Sequence, residues 1–100
     1  MMITKNKQIK VGMVLFDTIN TNNYKHISKV IVQSAPVSYE TMCACEGRTS
    51  ELKNMGMWIL IRQEGHPIEW ASCRDRGIDA NHNNNRFFTT EEEADTHVFG

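Results

Sequence analysis

Long apolar runs are missing from this sequence, and no stretch approaches the roughly 20 residues that a membrane-spanning helix requires. The amino end also lacks a basic region followed by an apolar block and a small-residue cleavage site, which is the signature of a secretory signal. Only three cysteines are present, and an odd number cannot form the even disulfide framework of a stapled secreted domain. These absences predict a cytoplasmic protein that does not contact a membrane.

Glycine is sparse, with six residues in the chain, and none of them belongs to a glycine-rich loop that would cradle a phosphate. Catalytic groups are equally few. Cys73 lies near Arg74 and Arg76, which would lower the pKa of its thiol, but no orienting acid or oxyanion-forming turn accompanies it. The glutamates at 91–93 are explained by a helix start without any chemistry. We therefore expect a non-enzymatic protein without a cofactor.

What the chain does contain is enough apolar side chain for one compact core. One hundred residues with 40% hydrophobic content predict a single domain over residues 1–100. The formal net charge of -1 hides an uneven distribution. Residues 1–62 carry eight Lys or Arg and four Asp or Glu, whereas residues 63–100 carry three and eight. Such a dipolar surface would steer a charged partner.

Short β-type segments follow one another along the chain. Alternating or β-branched apolar residues, bounded by turn residues, predict strands at Ile9–Asp17, Ile27–Ser34, Val37–Cys45, Gly56–Arg62 and Ile68–Cys73. The segment at 56–62 is apolar on both faces, so we expect it at the centre of the sheet. The polar stretch at 74–85 is expected to form a mobile loop.

The carboxyl end combines a strand-like step with a helix start. Phe87 and Phe88 predict a short last strand, after which Thr89 or Thr90 caps a helix with a glutamate three residues later. That helix is expected to dock on the sheet through Ala94 and Val98 or Phe99. The pattern predicts a mainly β (α+β) domain of five to six strands, arranged as a small, strongly curled antiparallel sheet or SH3-like barrel, with a short C-terminal helix.

A small zinc site is one alternative. Cys43, Cys45 and Cys73, with His66 or His82, would supply four ligands of the type that zinc prefers. Paired zinc cysteines are usually separated by two to four residues, however, whereas one residue separates Cys43 from Cys45. Buried structural thiols on a strand face are the more economical interpretation, so we expect no bound metal.

Nucleic-acid binding is a second alternative, because basic residues are frequent in the first half of the chain. A phosphate-facing stripe would use Tyr24 or Trp58 as a base-stacking platform and the cationic residues Lys5, Lys7, Lys10, Lys25, His26, Lys29, Arg48 and Lys53. The near-neutral total charge and the aromatic content of 8% speak against this interpretation.

We favour a protein-binding module, in which loops at 18–26, 46–55 and 74–85 present side chains from a rigid scaffold. Self-association into a homo-oligomer would be a further way to cover an exposed sheet face. The residues expected to contact a partner are Tyr24, Lys25, His26, Arg48, Lys53, Arg74, Arg76 and Arg86.

Two segments carry a family resemblance. Val11-Gly12-Met13-Val14-Leu15 and Phe87-Phe88-Thr89-Thr90-Glu91-Glu92-Glu93-Ala94 resemble the frame of short phage-type accessory proteins and of SH3-like barrel modules. The resemblance implies a binding protein encoded by a phage or mobile element, directed at a host or defence macromolecule and acting as an inhibitor by occlusion. The sequence lacks the strongly basic surface of nucleic-acid-binding SH3-like modules.

Overall fold

The computed structural model describes residues 1–52 and 55–100. Within these residues the chain forms a curled, half-barrel sheet of antiparallel strands: β1 (Val14–Asn20), β2 (Lys25–Val32), β3 (Val37–Ser38), β4 (Met57–Gln63), β5 (Glu69–Ser72) and β6 (Phe87–Phe88). Two helices accompany it, α1 (Tyr39–Cys45) and α2 (Glu91–Phe99), with 3₁₀ turns at Asn6–Gln8 and Arg74–Arg76. The prediction of a mainly β, curled antiparallel sheet with a short C-terminal helix is confirmed.

Strand β4 is an interior strand with partners on both edges, but β2 and not β4 lies at the centre of the strand order, so the predicted central position of the 56–62 segment is wrong by one strand. The strands run in the order β3-β4-β2-β1-β6, and β5 pairs with β4. β3 pairs with the first residues of β4 and β2 with its last ones. Ile59 and Ile61 are buried, while Trp58 and Leu60 on the opposite face are half-buried, so both faces of β4 are covered.

The predicted strand across Val37–Cys45 is wrong beyond Ser38. The Ser38 hydroxyl accepts a hydrogen bond from the Thr41 backbone N–H at 3.2 Å and so caps the start of α1. Met42 and Cys43 are adjacent in sequence and both buried, a pattern that a helix produces and a strand with one covered face does not. The segment therefore forms a helix although its apolar residues alternate with a period of two.

The first strand begins at Val14, later than the predicted start at Ile9. A turn precedes it, closed by the Met13 N–H donating to the Lys10 carbonyl at 3.1 Å. Ile9 itself is buried and packs, with Ile3, against the core face of the sheet. The residues before β1 thus cover the sheet instead of extending it.

The core lies on one face of the sheet and α2 packs on the other. Leu15, Val30 and Ile61 belong to the core cluster, together with Ile78 from the segment after β5. Helix α2 instead contacts β1, β2 and β6 and buries Ala94 and Val98, whereas Phe99 is 59% exposed.

Capping fixes the start of α2 as the sequence predicts. The Thr90 hydroxyl oxygen accepts from the Glu93 N–H at 3.3 Å, and its O–H donates to the Glu93 carboxylate at 2.7 Å. The cap thereby pairs the Glu93 N–H of the first turn, and the same hydroxyl holds the Glu93 carboxylate. Neither α1 nor α2, the helices of the described part of the chain, has the length and apolar character to cross a membrane.

Candidate functional site

An open groove of about 670 Å³ runs beside β2. Residues 26–29 and Ile31 line one wall, and residues 62–66, from the end of β4 and the turn after it, line the other. The groove exists because β4 pairs with β2 only opposite Val30–Val32. Beyond Gln63 the chain turns away, with the His66 N–H donating to the Gln63 carbonyl at 3.0 Å. Its volume falls within the range of about 300–1,000 Å³ that is typical of binding pockets.

Positive charge dominates the rim of this groove. Lys29 and Arg62 are exposed and take part in none of the ion pairs of the described residues. His26 and His66 stand at the same rim, and Glu64 is the acidic side chain among the lining residues. The two permanent cations are therefore available to an anionic group on a partner.

Apolar side chains lie directly beside these cations. Val14, Ile31 and Arg62 are cross-strand neighbours on three adjacent strands, so their side chains share one face of the sheet. Val14 is exposed and Ile31 half-buried, and Ile68, just before β5, is 53% exposed. The site thus offers apolar contact area next to unneutralised charge, a combination found in protein interfaces.

Three of the predicted partner-binding residues lie at the start of β2. The rings of Tyr24 and His26 stack with centroids 5.9 Å apart, and Tyr24 is 56% exposed. The Lys25 ammonium donates to the Val98 carbonyl at 3.1 Å, at the C-terminal end of α2. A cation there complements the negative end of the helix dipole. Of the three, His26 lines the groove.

Arg76 makes internal contacts. Its guanidinium forms two hydrogen bonds with the Asp17 carboxylate, Nε to Oδ1 at 3.2 Å and Nη2 to Oδ2 at 3.0 Å. A third bond joins Nη1 to the Ser72 carbonyl at 3.2 Å, and Cζ lies 5.5 Å from the centroid of the Phe87 ring. Burial alone would lower the pKa of Arg76, but the charge and hydrogen bonds of Asp17 raise it. Arg76 therefore holds the segment after β5 against β1.

Arg86 has a similar internal position. It donates to the carbonyls of Asn83 and Asn85, both at 2.7 Å, and to the side chain of Asn81. The asparagine-rich segment at 81–85 is thus wrapped around one guanidinium. Arg48 and Arg74 are exposed at other places on the surface, with Arg74 beside Gly56. Lys53 lies outside the described residues.

The seven predicted contact residues that the structure describes therefore do not converge on one site, since His26 is the one of these seven that lines the groove. Lys29 belonged to the basic stripe recognised in the sequence, but Arg62 and His66 were missed. Arg62 ends the apolar run at 56–62, and a cation at the end of such a run is a sequence signal for an exposed binding residue. His66, a candidate metal ligand in the sequence, lines the groove instead.

The three thiols are separated by the fold. Cys43 is buried in α1, Cys45 is exposed two residues later on a different side of that helix, and Cys73 is buried below the sheet. Burial raises the pKa of Cys73 to about 12, although the charge of Arg76 opposes this, so the neighbouring arginines do not lower the pKa of this thiol below its ordinary value. Across residues 1–52 and 55–100, no three His, Cys, Asp or Glu side chains gather as they would around a metal ion.

Comparison with known proteins identifies a family. No curated protein and no solved structure matches the chain, and the SH3-like part of the resemblance is not confirmed. A family model described as Phage g100-like protein matches residues 3–98. The matched range includes every strand of the described residues, all of α1 and all of α2 except Phe99, and it supports the phage-type part of the resemblance. The chain therefore belongs to the Phage g100-like protein family.

Proposed function

We propose that this phage protein is a non-enzymatic binding protein whose partner is another protein, and that it inhibits or modulates a host or defence macromolecule by covering part of its surface. The observation that carries the proposal is the groove between β2 and the turn at 63–66, which combines an unpaired strand edge with apolar and cationic side chains. The partner docks in this groove.

The character of the groove favours a protein partner. Ile27 and Ile31 offer apolar area, and Arg62 is of a residue type that often dominates interface energetics. The two free cations orient an acidic region of the partner and raise its association rate. Because the chain as a whole has a net charge of -1, this attraction is local to the groove.

A nucleic-acid-binding accessory protein is the second candidate function. The rings of Tyr24 and His26 stack, and His26 and Lys29 both line the groove, so an unstacked base has an aromatic platform and its phosphate has a cation nearby on the same strand. Titration with labelled single-stranded and duplex oligonucleotides at two salt concentrations tests it. Phosphate-driven binding weakens steeply as the salt concentration rises, and absence of binding at low salt removes this candidate.

Affinity capture from a nuclease-treated host lysate tests the proposed function. We expect one or a few proteins to be enriched by the wild type and lost with Arg62→Glu. Lys7→Glu is the matched control, because it makes the same charge change at an exposed position of the first 3₁₀ turn, outside the groove. The proposal fails if quantitative mass spectrometry shows no enriched protein, or if the Arg62→Glu variant retains every protein that the control retains.

A further inference from the structure

One edge of β2 is open over most of its length. β2 pairs with β1 from Lys25 to Ile31, but on its other side β4 reaches only Val30–Val32. No other strand of the described residues pairs with 25–29 on that side. The groove lies along this open edge.

The register shows which backbone groups the edge presents. The Val32 N–H donates to the Met13 carbonyl on the β1 side at 2.9 Å, whereas the Gln33 N–H donates to Leu60 of β4 at 2.7 Å. Backbone groups of alternate residues point to opposite neighbours in an antiparallel sheet. The N–H and C=O groups of Lys25, Ile27 and Lys29 are therefore directed away from β1, and Ile27 and Lys29 line the groove.

We propose that this edge binds an extended acidic segment of the partner as an additional antiparallel strand. The inference rests on the proposed function and names the partner's recognition element. Strand addition satisfies the open backbone groups, and side-chain contacts on alternate residues then supply specificity. The five residues 25–29 span about 17 Å at about 3.4 Å per residue, which is enough for a short added strand.

The side chains of the edge define the sequence that it selects. Lys25, Ile27 and Lys29 alternate with Ser28 and His26, so the three share one face of the sheet, the face of Arg62. An added strand places alternate residues opposite them. The matching pattern is an acidic residue, any residue, an apolar residue, any residue and a second acidic residue. The acidic residue opposite Lys29 also lies near Arg62.

A synthetic peptide tests this inference directly. The probe is fluorescein-labelled Ser-Glu-Thr-Val-Thr-Glu-Ser, and its binding to the full chain is measured by fluorescence anisotropy. We expect Lys29→Glu to weaken binding at least about tenfold, while Lys7→Glu changes it less than about twofold. Replacing both peptide glutamates by lysine should abolish binding. Raising the salt concentration from about 0.05 M to about 0.5 M should weaken it.

Two N-methylated peptides separate strand addition from simple charge attraction without altering the protein. Each carries methyl groups on alternate backbone amides, one on the even set and one on the odd set. An added strand uses one set toward β2 and leaves the other in solvent. One methylated peptide should therefore lose at least about tenfold in affinity and the other less than about twofold. Equal behaviour of the two peptides overturns the inference.

The remaining outcomes are also decisive. If the peptide fails to bind while Arg62-dependent capture from lysate persists, strand addition is wrong and the proposed function stands. If both fail, both are wrong. An oligonucleotide that binds at this edge in place of the peptide overturns the inference, as does self-association of the chain that Lys29→Glu abolishes.

Discussion

Loss of the ion pair between Arg76 and Asp17 should destabilise the fold strongly. We consider Arg76→Met, which keeps a long apolar side chain over the Phe87 ring while removing the charge. The side chains of Arg76 and Asp17 are 22% and 12% exposed, so the carboxylate left behind has little access to water. Leaving one partner of a buried pair uncompensated costs about 3–5 kcal/mol, and the residual exposure here favours the lower end, about 3 kcal/mol.

Urea unfolding followed by fluorescence of the two tryptophans measures this loss. A change of about 3 kcal/mol corresponds to a decrease of about 12–24 °C in the melting temperature of a domain of this size. Asp17→Asn should cost less, about 1–2 kcal/mol, because Arg76 keeps its bond to the Ser72 carbonyl. In the double variant the two losses should fall short of additivity by at least about 1 kcal/mol.

Arg48→Met is the matched control, since Arg48 is exposed and forms none of the ion pairs of the described residues. Its effect on the free energy of unfolding should stay below about 0.5 kcal/mol. The reasoning is refuted if Arg76→Met also stays below that value, or if the effects of the two pair variants simply add. Either result would mean that solvent screens this pair as it screens a surface salt bridge.

Three further predictions concern thiols, caps and turns. At pH 8, Ellman's reagent should label Cys45 at once and Cys73 only on unfolding. Burial raises the pKa of Cys73 from 9.0 to about 12, so between these two pH values the unfolded chain loses this proton and the folded chain keeps it. The urea midpoint should therefore fall as the pH rises from about 9 to about 12, and a constant midpoint would contradict this. Thr90→Ala should lower stability by about 1 kcal/mol in urea unfolding, and an unchanged midpoint would show that the cap contributes nothing. Gly77→Ala should destabilise the protein more than Gly47→Ala in the same assay. Both glycines have φ +73, but a Cβ added at Gly77 would lie 2.5 Å from Cζ of Arg86, whereas one added at Gly47 would meet no atom within 4 Å. Equal losses of stability in the two variants would exclude this clash.

Much of the fold was predictable because its signals are local. The apolar run at 56–62 indicates that β4 is an interior strand covered on both faces, and the threonine followed by glutamates indicates the start of α2. The segment 37–45 misled because its alternation fits a strand and its Ser38 cap fits a helix. The helix forms because it buries Met42 and Cys43 together against the rest of the fold. A local sequence pattern contains no information about this tertiary burial.

The candidate site was much less predictable, because it depends on contacts between residues far apart in sequence. The sequence predicts that Arg76 contacts a partner, but Arg76 pairs with Asp17, which is 59 residues away in the chain. The groove has no sequence motif of its own. The groove forms because the two neighbours of β2 pair with different lengths of it. β1 pairs with β2 over most of its length, whereas β4 pairs with its last three residues and turns away after Gln63.

The lysines of the open edge decide which occupant the edge accepts. Two copies of the chain, paired edge to edge in antiparallel fashion about Ile27, would set each Lys29 opposite Lys25 of the other copy. Like charges directly opposite each other destabilise a strand pair, and lysines on exposed edges are a common means of preventing such pairing. An acidic strand meets the same backbone groups and reverses the sign of that interaction. The charges that keep this edge open to a partner are therefore the charges that disfavour a second copy there.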